Sequence, residues 1–233
     1  MPFILSKREA NLIELMDRND CDLDKLNNTY SQFKTINRLL SGWKKIYRDH
    51  LRPELKKGTS YTLLDIGFGG GDVPVMLKQL ADKDGFDLQI TAIETDIRAV
   101  EYVERNLDGN AIAFKHCSTT DLVTKGFKFD FVISNHLIHH LDASSLTDIL
   151  LEAEQLARRK VIFNDIERSD VGYVLFRMIT PLLFHDSFVS YDGSISIRKS
   201  YTGEELDRST PDRWMVKRLF PFRLLLILDL NHE

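Results

Sequence analysis

Apolar positions fall into three successive regimes along the chain. Up to about residue 58 they recur at helical spacing. Tyr30, Phe33, Asn37, Leu40, Trp43 and Tyr47 share one face, which Ile36, Leu39 and Ile46 widen, the stripe of an amphipathic helix. Pro53 and Gly58 punctuate its end,. From residue 61 the pattern changes to short apolar runs separated by helical stretches. Tyr61–Ile66, Leu88–Glu94, Ala111–His116, Phe129–Ser134 and Lys160–Asn164 read as strands; Val73–Asp82, Ile97–Leu107 and Leu146–Ala157 read as helices. A run that ends at a glycine cluster and is apolar nearly throughout suits a strand buried on both faces. Strand–helix alternation at this spacing predicts an α/β fold with a mostly parallel sheet and helices on both faces.

The third regime breaks the alternation. Residues 166–200 hold an apolar helical patch, Tyr173–Phe184, and a turn-rich piece, Ser190-Tyr191-Asp192-Gly193-Ser194-Ile195-Ser196. Thr202, with Glu205 three residues on, starts a capped helix,. Trp214–Phe220 and Phe222–Leu230 flank Pro221 and read as a closing antiparallel hairpin. The expected organisation is a helical cap over 1–58 and an α/β domain over 59–233, with a cap insertion at about 166–200.

Charge changes this picture in one place. The net charge of −4 speaks against a nucleic-acid partner,. Between Lys34 and Lys57, however, eight basic residues face only Asp49 and Glu54. That stretch reads first as a solvated helix face, with RNA or a membrane as the alternative contact. The two cysteines, Cys21 and Cys117, show no paired spacing, which suits a reducing compartment,. The start of the chain lacks the apolar core of a signal peptide and the longest apolar run is Leu224–Leu228. The expectation is a cytoplasmic protein without a membrane span. Nothing in the pattern opposes a homodimer.

The sharpest local chemistry is Asp65-Ile66-Gly67-Phe68-Gly69-Gly70-Gly71-Asp72, between a strand and a helix. Glycines there let the backbone turn tightly and approach a ligand, and the helix start offers free N–H groups. Such a loop serves a dinucleotide pyrophosphate or the amino-acid end of S-adenosylmethionine. A dinucleotide fingerprint would put its third glycine at position 72, which holds Asp72, a carboxylate that would oppose a pyrophosphate. Asp65 stands where it meets an ammonium. Glu94 ends the second strand about twenty residues on, the place of an acid that binds ribose hydroxyls.

These residues, with Phe129-Asp130-Phe131-Val132 leading to His139-His140-Leu141, resemble the class I S-adenosylmethionine-dependent methyltransferases over roughly residues 60–165,. The nearest likeness is to the small-molecule enzymes of ubiquinone, menaquinone and polyketide pathways. The resemblance implies a Rossmann-like seven-stranded sheet with its last strand antiparallel. It also implies S-adenosylmethionine as cofactor and S-adenosylhomocysteine as product. Gly67, Gly69 and Gly71 would line the methionine moiety and Glu94 the ribose. Asp96 and Ile97 would border the adenosine, and Thr95 and Asn135 would complete the cofactor site. At the position of the usual adenine acid stands Ser118, so Ser118, Thr119 and Asp121 are the candidates for that contact.

Methyl transfer is an in-line displacement, so much of its catalysis is positioning. A base is needed only where the acceptor must lose a proton. His136, nearest the strand tip, is the first candidate, and His139 the second, although the His139–His140 pair also suits packing beneath the cofactor. No carboxylate near these histidines in sequence completes a metal site, and Asn135 replaces the acid of magnesium-dependent catechol-type enzymes, so no metal is expected. Tyr30, Phe33, Asn37, Tyr173, Phe176, Arg177 and Phe188 from the two cap regions would form an acceptor pocket for a phenol, quinol or polyketide-like molecule. The alternatives are an RNA methyltransferase docking through residues 34–57 and a non-catalytic nucleoside-binding subunit.

Overall fold

The apolar runs pair into one sheet. The computed structural model describes residues 2–107 and 111–231. Its strands are β1 (Ser60–Ile66), β2 (Asp87–Glu94), β3 (Ile112–His116), β4 (Phe129–Asn135), β5 (Ala157–Ile166), β6 (Met215–Leu219) and β7 (Arg223–Asp229). Their order is β3-β2-β1-β4-β5-β7-β6, in a seven-stranded sheet. The first five are parallel, and β7 runs antiparallel between β5 and β6. The fold is the expected Rossmann-like sheet, its last strand antiparallel.

Burial explains why the strands are legible. Leu63 and Leu64 are both fully buried, yet they point into different clusters. Leu64, Val132, Val161 and Leu226 pack under Leu146, Leu150 and Leu156 of helix α6 (Ala143–Leu156). Leu63, Phe131, Ile162 and Leu225 face Trp43 and Ile46 of α2 (Trp43–Ile46) and Leu77 and Ala81 of α3 (Asp72–Asp84). Side chains that alternate between two covered faces make both parities apolar. A third cluster joins α1 (Leu23–Leu40) to α4 (Ile97–Asn106) through Leu26, Tyr30, Val100 and Val103.

Three local expectations are corrected. Residues 2–22 are not helical. They form a strap of turns whose backbone donors are satisfied by side chains far along the chain. Leu5 N–H donates to Asp170 at 2.8 Å, and Leu15 and Met16 N–H donate to Asp192 at 2.7 and 2.9 Å. Backbone groups satisfied in this way need no helix. The helix begins only where Asp22 caps α1. The second correction is the piece from Ser190 to Ser196, which lies within helix α8 (Val189–Lys199) rather than in a turn. Its glycine is there for packing: a Cβ on Gly193 would sit 2.3 Å from Phe176 Cζ of helix α7 (Asp170–Leu183). The third is an additional short helix, α5 (Thr119–Thr124), opened by a reciprocal capping box between Ser118 and Asp121,. Helix α9 (Gly203–Ser209) starts as expected, with Thr202 and Glu205 forming its capping box.

Candidate active site

Strands β1, β2, β4 and β5 end at one edge of the sheet, and there the chain encloses a cavity of about 740 Å³. A crevice at the carboxyl ends of parallel strands is where ligands bind in open α/β sheets. The glycine loop, residues 94–98 after β2, residues 135–137 after β4, and α1 form its walls, and the strap and α8 cover it.

Gly67 and Gly69 line the cavity. Gly69 has φ +51°, in the left-handed region that favours glycine, and its N–H donates to Glu94 Oε2 at 3.2 Å. Glu94 Oε1 accepts from the N–H groups of Thr95 and Asp96 at 2.8 and 3.2 Å, so one carboxylate holds the loop and the turn after β2 together. Gly71 is different. It caps α3 at φ +73°, and a Cβ there would lie 2.7 Å from Leu107 Cδ1. It is outside the cavity wall and serves packing.

Asp65 and Asp72 face the same space, each with one buried carboxylate oxygen that has no hydrogen-bond partner among the described residues, Oδ1 and Oδ2 respectively. Burial, with the charges of Asp72 and Glu94, pushes the Asp65 carboxyl well above its ordinary range. Burial also raises Asp72, to about 6, although a 3.2 Å bond from Asn37 Nδ2 works the other way. Unpaired buried acids beside a cavity favour a cationic ligand.

At the tips of β4, β5 and β7 lies a buried amide–guanidinium network. Asn135 Oδ1 accepts from Trp43 Nε1, Asn164 Nδ2 and Arg223 Nη2 at 3.0, 3.0 and 3.1 Å, and its Nδ2 donates to Asn37 Oδ1 at 3.3 Å. Arg223 Nη1 lies 3.1 Å from His136 Nε2. A guanidinium only donates, so Nε2 is the acceptor and the neutral ring carries its proton on Nδ1. Burial first, and the Arg223 charge second, hold His136 well below the usual imidazole range.

His139 is the opposite case. Its Nδ1 lies 2.7 Å from Asp165 Oδ1 and its Nε2 3.5 Å from Glu14 Oε1 of the strap. Burial opposes the charged ring, but the two carboxylates outweigh it and raise the ring to about 9. Glu14, penalised by burial but bound to His139 with His140 and Lys199 close by, falls to about 2. Ser196 Oγ donates to Glu14 Oε1 at 2.9 Å, and Lys199 Nζ lies 3.5 Å from the same oxygen. At neutral pH His139 is therefore an ion-paired cation, not a free base.

The carboxylates missing near the histidines in sequence arrive from elsewhere in the fold. Glu14, His139 and His140 bring ligand atoms within 4.8 Å of one another, as do His136, His139 and Asp165. Lys199 stands beside the first group and Arg223 beside the second, so each already has a protein cation against it.

Of the remaining sequence candidates, Tyr30, Phe33, Asn37, Thr95, Asp96 and Asn135 line the cavity. Asp96 also caps α4 and holds Arg98, with Nη2 to Oδ2 at 2.7 Å. Ser118 and Thr119 are not in its wall; Ser118 caps α5, and Thr119 Oγ1 bonds Glu152. Tyr173 and Arg177 also lie outside it, bonded to each other at 3.1 Å, whereas Phe176 on the same helix reaches in. Glu14, Arg98, Asp192 and Arg223 went unnoticed in the sequence. Only Arg223 carries a signal, a charge at the head of the apolar run Leu224–Leu228 that needs a buried partner.

Residues 63–160 match the methyltransferase-domain family. The structure is similar to a plantazolicin methyltransferase solved with a pentazolic desmethyl analogue and S-adenosylhomocysteine. That pair has 12% identity and a TM-score of 0.54, covering 86% of this chain and 85% of that one. It is also similar to an S-adenosylmethionine-dependent methyltransferase from Aquifex aeolicus, with 16% identity, TM-score 0.56, and 86% and 96% covered. A third likeness is to magnesium protoporphyrin IX methyltransferase from Synechocystis PCC 6803 with S-adenosylhomocysteine, with 13% identity, TM-score 0.50, and 86% and 84% covered. No curated protein sequence matches the chain. Residues 63–160 thus match a methyltransferase domain, and the strand order is the Rossmann-like one that the resemblance implied.

Proposed function

We propose that the chain methylates an oxygen or carbon nucleophile of a small hydrophobic acceptor, a phenol, quinol or polyketide-like molecule. The observation that carries this reading is the division of the cavity into an acidic and an apolar part. Asp65 Oδ1 and Asp72 Oδ2 are unpartnered buried acceptors, and they suit a ligand with ammonium and sulfonium charges. Glu94 retains lone pairs for ribose hydroxyls beside its backbone bonds. S-adenosylmethionine supplies the electrophilic methyl group when bound, and the protein's share is to orient and to exclude water. Phe33, Ile36, Leu137, Ile166, Phe176 and Val189 are the apolar wall against which a flat acceptor would lie. With Nε2 taken by Arg223, His136 has its Nδ1–H left to donate to an acceptor oxygen. We therefore assign His136 a hydrogen-bonding rather than a proton-accepting role. The cap regions 1–58 and 166–200 are the parts we assign to acceptor choice.

Calorimetric titration with S-adenosylhomocysteine, NADH and a short RNA tests the donor half. Micromolar binding of the first alone is expected; binding of NADH with no response to S-adenosylhomocysteine would overturn it. His136→Ala should spare that binding and lower turnover on a phenolic acceptor, and unchanged turnover removes the role given to His136.

A further inference from the structure

Helix α7 is covered on one side only. Gly172 and Thr180 are buried, and Phe176 reaches the cavity. On the other side Val171, Val174, Leu175, Met178, Ile179 and Leu182 are exposed, with Met178 at 67% and Leu182 at 76%. Their spacing of three and four places them on one helical face, and the helix has only two charged residues, Asp170 and Arg177. Asp170 is occupied by the strap: its carboxylate accepts from the N–H groups of Phe3, Ile4 and Leu5. That bond sets two more exposed apolar side chains, Phe3 and Ile4, at the start of the helix.

The other end of α7 adjoins α1. Asn28 Nδ2 donates to the carbonyls of His185 and Asp186, both at 3.0 Å, and Gln32 Nε2 donates to that of His185 at 3.0 Å. Beyond this junction α1 and α2 carry Lys34, Arg38 and Lys44, all exposed and without an ion-pair partner among the described residues. Their neighbours are differently placed, since Lys45 and Arg48 pair with Asp49, and Arg52 pairs with Asp84. Leu39 is exposed in the same stretch.

We infer that the outer face of α7, with the basic end of α1 beside it, docks on an anionic lipid bilayer. An apolar helix face flanked by uncompensated cations is what an interfacial helix requires, the first entering the headgroup boundary and the second meeting acidic lipids. A second copy of the same surface would match the apolar stripe but bring only the exposed Asp186 of the junction against the three cations Lys34, Arg38 and Lys44. The charge complementarity therefore selects the bilayer. Phe176 connects the two sides of α7, so docking sets the acceptor chamber one helix width from the acyl region.

Vesicle flotation of the full chain tests this, with phosphatidylcholine alone and with added phosphatidylserine. Binding is expected only with phosphatidylserine and should weaken with salt. Lys34→Ala and Arg38→Ala should each cost about fivefold in partitioning, the value of one basic residue near such a surface. Met178→Asp with Leu182→Asp should abolish flotation while circular dichroism and S-adenosylhomocysteine binding stay unchanged. Absence of flotation at low salt overturns the inference, as does flotation that survives the double substitution. If light scattering instead finds a dimer that the double substitution breaks, the face belongs to a second copy and the bilayer is refuted. None of these measurements depends on methyl transfer.

Discussion

Replacing Glu14 with glutamine leaves a buried imidazolium holding one carboxylate instead of two. His139 and Glu14 are 2% and 3% exposed, so water screens little of their interaction. The ring stands at about 9, against an ordinary 6.5. Below pH 6.5 it is protonated in folded and unfolded chains alike; between 6.5 and 9 only the folded chain keeps the proton. Stability therefore falls as pH rises through that window, by about 3 kcal/mol in total. Asp72 and Asp192, each raised to about 6, cost stability as pH rises to 6. His136, neutral in the fold, adds stability as pH rises to 6.5. Asp65, raised well above its ordinary range by burial, costs stability in wild type and variant alike. The difference between the two chains from pH 7 to 9.5 is therefore the quantity that reports on His139. For a chain of this size, 3 kcal/mol is roughly 6–12 °C in Tm. At pH 7 Glu14→Gln should cost about 3 kcal/mol, the low end for a broken buried pair because the amide keeps its Ser196 bond. By pH 9.5 the wild-type ring is neutral too, and the deficit should shrink to a third or less. Scanning calorimetry at the two pH values measures this directly. An equal deficit at both would refute the ion-pair account of His139.

Glu94→Ala should weaken S-adenosylhomocysteine binding by roughly 10–100-fold, the value of hydrogen bonds to a charged group, and calorimetric titration reads it. Asp72 titrates at about 6, so affinity for a ligand with an ammonium group should fall as pH drops through 6, whereas Asp72→Asn should bind weakly with a flat profile from pH 5 to 8. Gly71→Ala forces a Cβ to 2.7 Å from Leu107 Cδ1 at positive φ and should cost about 3 kcal/mol in thermal unfolding. Gly126→Ala, also at positive φ but with open space around it, should cost only about 1 kcal/mol.

The sheet was legible because its information is local. Leu63, Leu64, Val132 and Val161 are apolar at consecutive or equivalent places since both faces of the sheet are covered, and the glycine loop follows directly on β1. The acidic part of the cavity inherits that legibility: Asp65, Gly67, Gly69 and Glu94 sit at strand ends that the pattern marks. The covering half does not. Asp192 reads as a turn residue beside Gly193, yet it receives two N–H groups from residues 15 and 16, and no helical or strand period encodes a partner so distant. His139 looks in sequence like a titratable candidate base; its charge is decided by Glu14 and Asp165, neither of them a sequence neighbour. Ser118 carries a second local signal: Ser118-Thr119-Thr120-Asp121 has the spacing of a capping box, and that is the contact it makes here,.

The strap has a consequence for how the chamber comes into being during synthesis. Glu14 meets Ser196, 182 positions later, and Leu15 meets Asp192, 177 positions later. The strap leaves the ribosome well before these partners and is therefore among the last parts to find its place. At about 5–20 residues per second, it waits on the order of ten to forty seconds with Leu5, buried in the finished fold, uncovered. The sheet can assemble from β1 to β5 in that time, but the lid over its ligand edge cannot. A nascent chain thus holds the glycine-loop edge of the cavity open to solvent, and the chamber closes only when helix α8 has been made.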